Sequence, residues 1–172
     1  MKRIVLLMSF CMLALFSSCN NDDNALGHKA EDAWLSFVQK DLIGEWSPQK
    51  VELKPIIGEP FMSIPYPNIP NCDVDVLTFR KDFTGGFTKH GEACASQQIP
   101  FYWKHRLGVI IFQLGEEKVI TSLLLKKSPK YLVLDFKAAD ALPILKQYYP
   151  DIVKVPEDQL ALLVVKMYFV KK

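Results

Sequence analysis

The chain has 172 residues, with 21 Lys+Arg against 19 Asp+Glu, 49% hydrophobic residues and four cysteines. That length suits one domain of ordinary size with at most a small appendage. A formal charge of +2 excludes the strongly basic face of a nucleic-acid binder, and the hydrophobic fraction excludes a disordered chain.

The first segment stands apart from the fold. Lys2 and Arg3 precede an almost wholly apolar run from Ile4 to Phe16, followed by the small residues Ser17 and Ser18 and then Cys19. A charged start, an apolar middle and a small-residue cleavage site make a secretory signal. The run is shorter than the ~20 apolar residues that span a membrane. Small residues placed directly before a cysteine resemble a bacterial lipobox, in which the cysteine thiol receives a diacylglyceryl group and becomes the new N-terminus. Phe16 stands where Leu is usual. This resemblance implies a signal peptide over 1–18 and lipid attachment at Cys19. The polar run Asn20, Asn21, Asp22, Asp23, Asn24 then reads as a solvated tether, giving a flexible segment over 19–29. It also resembles the acidic export signal that sends some lipoproteins to the outer face of the outer membrane. The cell envelope is the expected location, at the outer membrane on its periplasmic face or at the cell surface, and the membrane is an expected partner through the lipid. Without residues 1–18 the chain carries 19 basic and 19 acidic residues, hence no net charge. The acidic excess lies before residue 104 and the basic excess after it.

From Ala30 to Leu42, Trp34, Phe37, Val38 and Leu42 recur at helical spacing, and Gly44 ends the pattern. Period-two alternation then takes over. A first strand is expected over Trp46–Leu53. Six of the 11 prolines fall between Pro48 and Pro70, which predicts a long loop after that strand because proline removes ladder donors. Further strands are expected over Asp75–Lys81, Phe83–His90, Ile99–His105, Leu107–Leu114, Lys118–Leu125, Tyr131–Lys137 and Leu160–Val170. Gly85 and Gly86 are expected to mark a bulge or bend. Ala138–Pro150 reads as a short helix before the last strand. About eight strands joined by short turns predict an all-β, antiparallel sandwich or barrel.

Several motifs, in this order, resemble the bacterial lipocalin-like lipoproteins of the lipocalin superfamily. Leu42-Ile43-Gly44-Glu45-Trp46 is similar to the Gly-x-Trp that opens such barrels. Leu77-Thr78-Phe79-Arg80-Lys81-Asp82 resembles their Leu-Thr-Phe strand and turn, although Phe83-Thr84-Gly85 departs from its Asp-Gly. Tyr102-Trp103, Ile120–Leu125 and Tyr131–Leu134 match later strands, and the helix near Ala141 is additional. The resemblance implies an up-and-down barrel over 30–172, with Gly44 and Trp46 as its structural signature.

Cys11 leaves with the signal and Cys19 takes lipid, so Cys72 and Cys94 remain as an even pair in an exported protein, where disulfides persist. They flank what would be one hairpin, and many lipocalin-like lipoproteins carry a pair in this arrangement. A metal site or a catalytic thiol has no supporting Cys-x-x-Cys or clustered His.

No catalytic residue and no cofactor is expected. His28, His90 and His105 lie near the tether and near strand ends, where a satisfied or solvated imidazole is the ordinary outcome. Asp73/Asp75 and Glu116/Glu117 fall in turns and read as solvated faces. No Gly-x-Ser-x-Gly or Gly-rich phosphate loop occurs. The proline-rich loop is the candidate ligand or partner segment. Phe61, Met62, Ile64, Tyr66 and Ile69 put apolar groups where an exposed loop avoids them. They would either overhang a ligand cavity or pack on the barrel wall. The expected function is non-enzymatic binding of a small apolar or amphipathic molecule. The alternative is a side-chain-filled barrel that docks a protein or a glycan through its loops.

Overall fold

The architecture follows from one register. Strand β1 (Gly44–Pro55) pairs antiparallel with strand β9 (Leu163–Lys171) from Trp46↔Lys171 to Pro55↔Leu163, joining the first strand to the last. Between them run β3 (Val76–Phe79), β4 (Thr84–His90), β5 (Ser96–Arg106), β6 (Val109–Leu114), β7 (Lys118–Lys127) and β8 (Tyr131–Lys137), each antiparallel to the next. The result is a closed, up-and-down barrel of eight strands. The structure is a computed structural model and describes residues 22–116, 118–148 and 156–172. The barrel belongs to the compact unit from Trp34 to Lys172.

Three features differ from the sequence reading. A helix, α1, runs Asp22–Phe37 and passes into a π-helical turn at Val38–Leu42, so it begins eight residues before Ala30 and draws Asp22–Lys29 out of the expected tether. The proline-rich segment contains a ninth strand, β2 (Met62–Pro65), paired with Lys50–Leu53 of β1. It forms on the side of β1 left bare because β3 reaches only Gly44–Trp46. Gly85 and Gly86 sit in unbroken ladders with β3 and β5 and mark no bulge. A Cβ at Gly85 would run into the Phe101 ring and stand 2.5 Å from the Thr78 carbonyl oxygen, so close packing requires the glycine. The bulges lie instead between Pro48 and Lys50 and between Leu124 and Lys126.

Helix α2 (Ala138–Tyr148) continues directly from β8, and a single turn, α3 (Glu157–Leu160), leads into β9. The end of the expected helix at Pro150 lies outside the described residues.

Alternation along the strands fills one end of the barrel. Trp46, Phe79 and Trp103 are almost fully buried, and Phe79 meets Trp103 edge to face at 5.3 Å. Trp34, Phe37, Val38 and Leu42 cover this end at the helical spacing their sequence predicts. Trp46 donates its indole N–H to the Leu42 carbonyl at 2.8 Å, and the Lys171 ammonium lies 5.2 Å from its ring centre. Gly44 carries φ 127°, a backbone that lets the chain turn from the π-helical turn into β1.

Candidate functional site

The other half of the barrel, toward the β4–β5 and β6–β7 turns, is incompletely filled. Leu77, Phe87, Ile99, Ile120, Phe136 and Met167 wall a cavity of about 110 Å³ whose floor is Phe101, Phe112 and Phe169. Each of these residues points inward because inward positions recur every second residue along a strand. No polar atom faces the cavity from the described residues. Phe101 and Phe112 meet edge to face at 5.2 Å, a favoured aromatic arrangement that makes the floor rigid. The barrel is therefore neither hollow throughout nor packed throughout. The arrangement can hold an apolar group and offers it no hydrogen bond.

The candidate loop divides. Met62 and Ile64 are partly buried against the core through β2, and Tyr66 is buried. Ile69 is half-buried. Phe61, at the tip, is 61% exposed, beside the exposed Ile56 and Ile57. This tip follows the cavity-side end of β1. Cys72 and Cys94 form a disulfide, with Cα atoms 5.2 Å apart, and join the segment before β3 to the β4–β5 turn. Cys19 lies outside the described residues.

The titratable groups take three forms. Asp75 is buried rather than solvated, and both its oxygens are used. Tyr66 donates its hydroxyl to Oδ2 at 2.6 Å, and the backbone N–H of His90 donates to Oδ1 at 2.8 Å. The His90 ring lies 3.2 Å from the same Oδ1. His105 accepts the Trp34 indole N–H on Nδ1, and burial pushes its pKa down. On the outer wall, Glu52 accepts from Lys50 and Tyr168 at 2.7 Å each. Burial works to raise the Glu52 pKa, but those two donors, together with the charges of Lys50 and Lys166, outweigh it and hold the carboxyl below its usual range. Asp135, two strands away in register with Lys166, has a buried Oδ1 with no hydrogen-bond partner, and desolvation raises its pKa despite Lys166 and Lys54.

No group of three or more His, Cys, Asp or Glu side chains among the described residues is placed to hold a metal ion. No helix among them is long and apolar enough to cross a membrane. The cavity residues carry no sequence motif. Their signal is the period-two alternation of the strands, and the register needed to say which residues converge is absent from the sequence.

No family model and no curated protein matches the chain. Among solved structures it is similar to a bovine odorant binding protein, a deswapped triple mutant. The identity is 14%, the coverage 77% of this chain and 74% of that one, and the TM-score 0.38. The barrel rests on its own strand register.

Proposed function

We propose that this is an exported, lipid-anchored barrel protein that takes up a small apolar or amphipathic molecule in the unfilled half of its barrel. The observation that supports this reading is the wholly apolar, phenylalanine-floored cavity. A wholly apolar lining offers water no hydrogen bond and suits one small apolar group. The cavity seats a single ring or a short stretch of alkyl chain, and the polar part of an amphipathic ligand would remain outside. The anchor reading rests on Lys2, Arg3, the Ile4–Phe16 run and Cys19, and the outer-membrane reading on Asn20–Asn24. Several acyl chains at ~0.8 kcal/mol per buried methylene would hold the protein stably at a membrane.

Native mass spectrometry and lipid extraction of the purified protein test the ligand. A defined apolar molecule that is lost in Ile120→Phe supports the reading, and an empty barrel in every preparation opposes it. Labelled palmitate incorporation tests the anchor, and label persisting in Cys19→Ala would refute it.

The exposed Ile56, Ile57 and Phe61 favour a second reading, in which the loop tip docks a protein or a glycan. In that case Phe61→Ser abolishes binding, while Ile120→Phe leaves it intact.

A further inference from the structure

A second cleft lies at the packed end of the barrel, between the covering helical segment and the β3–β4 turn. Its volume is about 370 Å³, within the usual range for small-molecule sites. Trp103 and Ile43 form its floor, Phe83, His105 and Leu35 its walls, and Lys81 its rim. The rings form a cluster: Phe83 lies 5.1 Å from Trp103 and is stacked on His105 at 6.2 Å.

Phe83 is the unusual member. It occupies the turn between β3 and β4 with φ 62°, a conformation in which a bulky side chain is an outlier and glycine is at ease. The turn itself asks only for that backbone. Phe83 N–H bonds the Arg80 carbonyl, and Thr84 N–H bonds Asp82 Oδ1, and neither contact uses the phenyl ring. The ring packs one side on Trp103 and leaves 49% of its surface exposed at the cleft. Lys81 stands beside it, exposed and without an ion pair among the described residues. His105 accepts on Nδ1, so its ring proton is on Nε2 and the ring is a neutral stacking surface.

We propose that this cleft binds a planar aromatic anion, its ring laid against the exposed side of Phe83 and the part-exposed His105, over the buried Trp103, with its acidic group at the Lys81 ammonium. Flat aromatic walls select a planar ring by stacking, and an unpaired cation at the rim selects a negative substituent. This site is separate from the barrel cavity, whose lining offers no charge.

The probes are 2-naphthoate and its uncharged analogue 2-naphthalenemethanol, followed by tryptophan fluorescence and calorimetric titration. Wild type should prefer the naphthoate. Lys81→Ala, an exposed change that leaves the fold alone, should weaken naphthoate about threefold and erase the preference. Phe83→Gly suits the turn and should weaken both probes about tenfold. Ile120→Phe, which fills the barrel cavity, should change neither. The proposal is overturned if wild type shows no preference for the anion, if the preference survives Lys81→Ala, or if binding is lost only in Ile120→Phe.

Discussion

The Trp34 indole N–H donates to Nδ1 of His105 at 3.0 Å, tying the last turn of α1 to β5. The bond exists only while His105 is neutral, because protonation places a hydrogen on Nδ1. Burial holds the folded-state pKa below the ordinary 6.5. The unfolded chain therefore takes up a proton first as pH falls. The stability this contact contributes is complete above about pH 6.5 and is lost as pH falls through the folded-state value. Melting curves of wild type and His105→Ala should differ by about 1 kcal/mol at pH 7.5 and converge toward pH 5. A pH-independent difference would contradict this.

Gly85→Ala should destabilise the barrel by about 3 kcal/mol, read from urea denaturation. The added methyl meets the Phe101 ring and the Thr78 carbonyl oxygen. Phe101→Leu in the same chain should recover only part of the loss, since a side chain can retreat and a paired backbone carbonyl cannot.

Reduction of Cys72–Cys94 should cost about 3 kcal/mol, from the unfolded-state entropy that a loop of this length restores. The sequence separation is 22 residues. A double Cys→Ser variant should melt like the reduced protein, and dithiothreitol should leave that variant unchanged.

Asp135→Asn should stabilise the protein at neutral pH. Its carboxyl has a raised folded-state pKa and a buried oxygen without a donor. A raised acid pKa means that the folded state binds its proton more tightly. The penalty is absent below the unfolded pKa near 3.8 and grows as pH rises through the folded-state value. The gain should be up to about 1 kcal/mol at pH 7 and vanish below pH 4. Equal stability of variant and wild type at both pH values would show that the desolvation is relieved by water.

The strands were legible in the sequence because alternation is a local signal. Phe101 and Trp103 inward, Tyr102 outward, needs only period two. The covering helix was legible from Trp34, Phe37, Val38 and Leu42. Three things were not. Asp75 looks solvated in a turn, and only the return of Tyr66 and His90 from either side of it in the chain shows why it is buried. Met62 and Ile64 look like a lid, and their strand exists because β3 is too short to cover β1, a fact about the neighbour. The Phe83 cleft needs the π-helical turn, the β3–β4 turn and β5 at once, and no spacing in the sequence encodes that meeting.

Strand β2 has a consequence for how the folded molecule meets copies of itself. A ring of paired strands presents no free backbone on which another chain can add. Among the described strands only β2 has a single neighbour, so its far side is the one place where a foreign strand would find unsatisfied amides. It is four residues long, with Pro60 just before it and Pro65 as its last residue. Proline has no amide hydrogen to donate, and so short a template cannot seed a growing sheet. The prolines that first looked like a break in the fold act as its guard against fibrillar assembly.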